Sequence, residues 1–421
     1  VSPDLSPTAS GASTPLGVGF IGSGFNARFH IQGWRGVRDA EVLGVWSPNA
    51  RNAASAAALA RQLDVGKAKA YRTITEMVLD PAIEAIWLCG PNQARVENVE
   101  EIVAAVESGK ATLKGIACEK PLARTVAEAE HIHTLVKRAG IPTGYLENQL
   151  FAPHIETGKA LLWARGAATT GRPYLARAAE EHSGPHMPWF WSGRQQGGGV
   201  LNDMMCHSAL VVRHLLTRPG EALSTVKPVR ITGHIASLKW SLPAYAKKLK
   251  QSMQADYTKS PSEDFASALI EFETADGTIA IGEATTSWSF VGAGLRLSAE
   301  LLGPEYSMKW NSLDSGLQLF FSREVTGRAG EDLVEKQNAE QGVMPVVPEE
   351  YLAYGYTNED RHFVRAFLGK EKPLLTWDDG LEVVKILMAA YQSAEQGRTL
   401  AFPPKGLDKF VPAVARGTWR P

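Results

Sequence analysis

Leu16-Gly17-Val18-Gly19-Phe20-Ile21-Gly22-Ser23-Gly24-Phe25-Asn26-Ala27 is the stretch that decides the fold. A short apolar strand runs into a G-x-G-x-x-A turn, and a helix is expected to open on that turn. Gly22 permits the tight bend, Gly24 lets the backbone come close to a pyrophosphate, and the small Ala27 lets the helix pack on the strand. Phe25 and Asn26 stand at the helix start, where free amides hold phosphate oxygens. Glycine turns are common, so the weight lies in the position between strand and helix.

Outward from this turn the alternation continues. Apolar strands are expected at 41–46, 68–71, 83–88, 113–118 and 142–146, with helices at 49–63, 93–108 and 125–139. Near-continuously apolar strands alternating with helices make a doubly wound α/β unit, a parallel sheet covered on both faces. Its ligands collect at the carboxyl ends of the strands. After the second strand stand Ser47-Pro48-Asn49-Ala50-Arg51, with no Asp or Glu to hold an adenosine ribose. Ser47, Asn49 and Arg51 are the candidates there, and Arg51 is either a 2′-phosphate partner or a helix-surface charge. After the fourth strand Pro91 and Asn92 lie in a turn that is either a support for a nicotinamide or a plain turn. After the fifth come Glu119-Lys120-Pro121. Pro121 keeps Lys120 out of the α region. A lysine beside such a cleft can lose its charge by partial desolvation, hold a hydroxyl or polarise a carbonyl.

Composition narrows the classes. The 421 residues exceed one ordinary core, so at least two domains are expected: a flexible tail at 1–15, a dinucleotide-binding unit at 16–149 and a substrate-binding and oligomerisation unit at 150–421. Lys plus Arg number 44 against 45 Asp plus Glu, a balance that points to neither nucleic acid nor a membrane surface. The three cysteines are too few and too far apart for a disulfide framework or a metal cluster, so no metal and a cytoplasmic, reducing compartment are expected. No apolar run reaches transmembrane length.

The second half turns on Gly198-Gly199-Val200-Leu201-Asn202-Asp203-Met204-Met205-Cys206-His207. Glycines lead into an apolar helix whose Asp203 and His207 share one face, either an acid/base pair or a helix-start interaction. Just before it lies Glu180-Glu181-His182-Ser183-Gly184-Pro185-His186-Met187-Pro188-Trp189-Phe190-Trp191. Aromatic planes pack on sugar rings, and His, Arg and Asn bond their hydroxyls, so His182, His186, Trp191 and Arg194 are substrate candidates against a purely structural loop. A helix is expected at 154–165, and strands begin near Tyr174. They continue at 229–238, 264–273, 278–288, 295–302, 306–311 and 316–322 as a broad, open, mostly antiparallel sheet. Residues 239–258 read as a solvated basic insertion, 351–367 and 381–395 as helices, and 402–421 as a tail against another subunit. An exposed apolar sheet face predicts an even-numbered homo-oligomer, a dimer or tetramer.

Taken in order, Gly22 to Ala27, Glu119-Lys120-Pro121 and the Gly-x3-Asp-x3-His set of Gly199, Asp203 and His207 resemble the glucose-fructose oxidoreductase, inositol dehydrogenase and MocA family. The resemblance covers about residues 16 to 405. It implies a Rossmann domain followed by an open-sheet α+β domain, NAD as cofactor with NADP not excluded, and a carbohydrate substrate. It also implies that Glu119 lies near the nicotinamide ribose, that Lys120 orients the reacting hydroxyl, that Asn148 points toward substrate and that Asp203 and His207 bind substrate and move the proton. Two departures are the missing acid after the second strand and Arg95, where the family often has His. The expected chemistry is hydride transfer at a hydroxyl-bearing carbon of a sugar, polyol or glycoside, with Asp203 orienting substrate and imidazole together. The alternatives are a redox-assisted glycosidase, which oxidises and re-reduces with no net change, and a nucleotide-binding regulator without chemistry.

Overall fold

The computed structural model describes residues 14–314, 316–322, 325, 333–337, 339 and 341–421. The expected flexible tail therefore falls almost wholly outside the described residues. Six strands form the first sheet: β1 (Leu16–Ile21), β2 (Ala40–Trp46), β3 (Lys69–Ala70), β4 (Ala85–Leu88), β5 (Gly115–Glu119) and β6 (Thr143–Leu146). Their order is β3-β2-β1-β4-β5-β6 and every pair is parallel. The order reverses between β1 and β4, which is where such sheets open a ligand crevice. A short helix at Ile74–Val78, capped by Thr73, was not expected from sequence.

The second sheet holds β7 (Leu175–Glu181), β8 (Lys227–Ala236), β9 (Phe265–Glu273), β10 (Ile279–Ser287), β11 (Arg296–Gly303), β12 (Tyr306–Asn311) and, at its far edge, β15 (Leu400–Ala401). Its order is β12-β11-β7-β10-β9-β8-β15, antiparallel except for β7 beside β10. One face packs on the Val200–Leu216 helix, which is buried along its whole length. The other face is not the apolar surface expected. Arg177 on it bonds Glu283 at 2.7 Å and Glu300 at 3.1 Å, beside the exposed Leu269. The strand expected at 316–322 also goes elsewhere: β13 (Leu317–Phe321) pairs with β14 (Gly342–Val346) in a two-stranded ribbon.

Two further corrections concern helices. Residues expected as a basic insertion form a helix at Pro243–Met253 that buries Ala246 and Leu249. The helix expected at 351–367 is broken into Glu350–Ala353 and Tyr356–Phe367 by Gly355, whose φ is +99° and whose added Cβ would lie 2.0 Å from the Asn148 carbonyl oxygen. The tail packs on its own chain, with Leu407 and Val414 buried and Val414 against Gly193.

The late helices return to the first sheet. Phe363 and Phe367 fill the space left by Gly144 and Gly115, where added Cβ atoms would come within 2.5 and 2.2 Å of the rings. Trp377 donates its indole N–H to the Gly144 carbonyl at 3.1 Å. Residues beyond 350 thus complete the core of the first sheet, and they bring acidic side chains beneath its carboxyl edge. Among the described residues no helix is long and apolar enough to cross a membrane.

Candidate active site

A cleft of about 780 Å3 opens at the β1/β4 switch and reaches Glu180 on β7. Gly22 takes a φ of +118°, and an added Cβ would meet the Cys89 carbonyl oxygen at 2.8 Å, so the turn closes against β4 only with glycine. Gly24 faces open space in the cleft. The Phe25–Gly33 helix that follows has no side-chain cap, which leaves its first amides directed at the cleft. Asn26 Oδ1 is buried there without a protein partner.

The glycine run of the second half serves a different end. An added Cβ at Gly198 would lie 2.1 Å from the Tyr391 hydroxyl, and at Gly199 2.5 Å from the Glu263 carbonyl oxygen. Glu263 Oε1 accepts the amides of Gly199 at 2.9 Å and Leu201 at 3.1 Å, and accepts the Tyr391 hydroxyl. A carboxyl group at a helix N-terminus complements its unpaired amides. Burial nevertheless pushes Glu263 up to about 7. This cap aims the Val200–Leu216 helix so that Asp203 and His207 line the cleft.

His207 lies between two carboxylates. Its Nδ1 is 2.5 Å from Glu147 Oε1 and its Nε2 is 3.4 Å from Glu180 Oε2. Burial disfavours the imidazolium, but Glu147 and Glu180 more than offset that and raise its pKa. Glu147 is fully buried at the end of β6. Glu180 accepts the Gln149 amide at 2.6 Å, and burial raises its pKa. The expectation that Asp203 orients the imidazole is corrected: that task falls to Glu147, while Asp203 turns to Lys120.

Lys120 Nζ donates to the Asp203 carbonyl at 3.0 Å and lies 3.6 Å from Asp203 Oδ1. Burial lowers its pKa, yet Asp203, Cys206, Glu180 and Glu119 together hold it above the usual lysine value. Of the three roles open to this lysine, loss of charge by desolvation is the one that these neighbours oppose.

Of the other sequence candidates, Gly22, Gly24, Phe25, Asn26, Ser47, Pro91, Asn92, Glu119, Asn148, His182 and His186 line the cleft. Ala27 is buried behind the turn. Asn92 donates to Gln196 Oε1 at 3.0 Å, tying the β4 turn to the glycine run. Asn148 donates to the Tyr354 carbonyl at 2.8 Å. His182 accepts the Gly184 amide on Nδ1 at 2.9 Å, and burial keeps the ring neutral. Besides Ala27, four candidates fall outside the lining. Asn49 spends its side chain capping the Ala50–Gln62 helix, Arg51 points to solvent, and Asn52 lines the cleft instead. Arg194 is exposed. Trp191 is core, ringed by Trp240, Tyr257 and Trp288, and the loop offers Met187, Trp189 and Phe190 to the cleft in its place. Arg95, the departure noted above, is buried and clamps the carbonyls of Gly90, Glu119 and Pro121.

Sequence reasoning missed Glu147, Glu180 and Gln149. Glu147 follows β6 at the ligand edge, the position that singled out Lys120, so a reading of every strand end would have found it. Also missed was a buried chain under Glu119, whose Oε1 lies 2.8 Å from His30 Nε2, with His30 Nδ1 2.8 Å from Asp360 Oδ1. Among the described residues two groups, Glu147 with Cys206 and His207, and His30 with Glu359 and Asp360, bring potential metal-ligand atoms within 4.8 Å. In both, the imidazole nitrogens already face carboxylate oxygens.

Residues 16–144 match the model of an oxidoreductase family with an NAD-binding Rossmann fold, and residues 166–308 match the Gfo/Idh/MocA C-terminal domain. The chain belongs to the Gfo/Idh/MocA family. It is an oxidoreductase that uses a nicotinamide dinucleotide. It is 24% identical over 404 residues to D-apiose dehydrogenase of Paraburkholderia graminis, covering 94% of this chain and 91% of that protein. It is 30% identical over 212 residues to 1,5-anhydro-D-fructose reductase of Ensifer adhaerens, spanning 49% of this chain and 58% of that protein. The fold matches GenD2 from gentamicin A biosynthesis, crystallised with NAD, with a TM-score of 0.74 and 24% identity over 95% of this chain and 99% of that one. The residues present fit the dinucleotide: the uncapped helix start and open Gly24 suit a pyrophosphate, and the orphaned Asn26 Oδ1 awaits a donor.

Proposed function

We propose that this cleft oxidises a hydroxyl-bearing carbon of a sugar or polyol, or reduces the corresponding carbonyl, with His207 as acid/base and Lys120 as charged donor to the reacting oxygen. The observation that carries the reading is the one-sided hold on His207: Nδ1 is fixed by Glu147 while Nε2 is only loosely held at the cleft wall. When bound, the dinucleotide supplies or takes the hydride. In the oxidative direction Nε2 takes the hydroxyl proton, and Glu147 offsets the charge that appears on the ring. The Lys120 ammonium stabilises the developing alkoxide, and Asp203 holds that ammonium in place. Glu119 would hold the nicotinamide ribose, and the amides after Gly24 would hold the pyrophosphate. Ser47 and Asn52 stand where an acid would select NAD, so either NAD or NADP is accommodated.

A carbohydrate substrate is supported by Trp189 and Phe190 on the cleft and by the sugars named for the relatives. Redox-neutral glycoside cleavage shares the same first step, and Glu180, with its raised pKa, offers that route an acid for the leaving oxygen. A homodimer or homotetramer in the cytoplasm belongs to the same reading, the oligomer supported only by Leu269 and Ile279, exposed among the charged groups on the outer face of the second sheet, and the compartment by three free cysteines.

The test is to incubate the protein with NAD or NADP and a panel of aldoses, polyols and glycosides. Reduced nicotinamide should accumulate with at least one aldose or polyol. Free sugar released without that signal would select the glycosidase route, and silence across the panel would defeat both.

A further inference from the structure

Beneath the cleft, the first helix of the chain and one of its last meet through a buried imidazole. His30, on the Phe25–Gly33 helix, has no solvent exposure, and neither does Asp360 on the Tyr356–Phe367 helix. Each ring nitrogen of His30 is 2.8 Å from a carboxylate oxygen, Nδ1 from Asp360 and Nε2 from Glu119. A neutral imidazole donates only one hydrogen bond, whereas the imidazolium satisfies both contacts. Asp360 Oδ1 also accepts the Trp87 indole N–H at 2.9 Å, so the far end of the chain is anchored in the core. Tyr356 stands edge-on to the ring at 5.0 Å. Glu359 completes the surroundings, fully buried with both carboxylate oxygens unpartnered, and burial raises its pKa so that it stays neutral.

Glu119 is the member of this chain that reaches the cleft. Its Oε1 is held by His30 and its Oε2 accepts the Lys120 amide at 3.1 Å, so both oxygens have fixed directions. We propose that His30, held by Asp360, is a positioning residue that keeps Glu119 ionised and aimed at the nicotinamide ribose, and so sets how tightly the dinucleotide binds. Without the imidazolium, Glu119, Asp360 and Glu359 are three buried carboxyl groups with no cation between them. Glu119 loses the donor on its Oε1 and the imidazolium charge that offsets its burial, which favours its neutral form. Glu119 then becomes a weaker acceptor and is free to rotate. The proposal rests on the reading of Glu119 given above and extends it to two residues outside the cleft.

The experiment measures NAD dissociation constants by calorimetry for the wild type, H30Q, E119Q, D360N and the H30Q/E119Q double variant, with folding followed by circular dichroism. H30Q and E119Q should each weaken NAD by about 10- to 100-fold, the range for losing a hydrogen bond to a charged group. The double variant should be no weaker than E119Q alone, because both changes remove the same contact. D360N should weaken NAD in the same direction, and it carries the test if H30Q does not fold. Wild-type affinity in H30Q or D360N beside a weakened E119Q overturns the proposal, as do effects of H30Q and E119Q that simply add. Wild-type affinity in E119Q shows that Glu119 does not serve the ribose, and the proposal falls with that reading.

Discussion

His207 and His30 occupy cages of the same composition, an imidazole between two buried carboxyl groups, yet their geometry differs at one end. Both nitrogens of His30 sit 2.8 Å from their partners, and the ring itself has no solvent exposure. His207 is tight only at Nδ1, 2.5 Å from Glu147, while Nε2 is 3.4 Å from a Glu180 that also accepts from Gln149. A ring held at both ends is a clamp. A ring held at one end, with the other on a cleft wall, can exchange its loose contact for a substrate hydroxyl and move a proton. The same residue types therefore give a structural device or a chemical one according to a single distance and one opening.

The sharpest way to break this comparison is to remove each ring in turn. H207A should lower kcat by about 10^2- to 10^4-fold, the usual span of general acid/base catalysis, with NAD affinity nearly unchanged. H30Q, assayed at saturating dinucleotide, should keep kcat within about threefold, since His30 meets the cleft only through Glu119 and a loss of dinucleotide binding alone leaves kcat in place. Equal losses of kcat in both would erase the distinction drawn between clamp and base.

The next largest effect is expected from Glu147. E147Q keeps the size of the side chain and removes the charge that fixes the His207 tautomer, so kcat should fall by about 10- to 100-fold, the cost of a hydrogen bond to a charged group. The sign of the pH effect is fixed as well. Glu147 raises the His207 pKa, and oxidation needs the neutral ring, so activity rises with pH through that raised value. Loss of the Glu147 charge should move this limb to lower pH in a kcat profile. A limb that stays in place would assign the titration to another group, and Glu180 would be the first to examine.

What could be read from the chain divides along the same line. The first sheet and its glycine turn were legible because all its strands but the two-residue β3 are local, largely apolar runs and because Gly22 and Gly24 act through backbone, whose demands show in sequence. Lys120, Asp203 and His207 were legible as motif positions, but their partners were not. Glu147 meets His207 across 60 residues and His30 meets Asp360 across 330, distances at which no local pattern operates. Trp191 was misplaced because composition does not say which of two nearby tryptophans faces in. Gly198 and Gly199 read only as a lead into the helix, whereas close contact with Tyr391 and Glu263 is what requires them.

Glu263 sharpens the comparison from the other side, because it is a buried carboxyl group with no imidazole. Its hydrogen-bond partners are the Tyr391 hydroxyl and the amides of Gly199 and Leu201, none of them charged. Burial raises it from 4.5 to about 7, so the folded state holds a proton that the unfolded chain has released. The stability linked to that proton is fully present below about pH 4.5 and is lost as pH rises through about 7. Replacement by Gln removes the titration and keeps most of the shape. Melting temperatures of the wild type relative to E263Q should therefore fall between pH 4.5 and 7 and level off above, by a few degrees at most for a chain of this length. A difference that is flat across this window would mean that the helix amides and Tyr391 compensate the Glu263 charge as fully as an imidazole does in the other two cages.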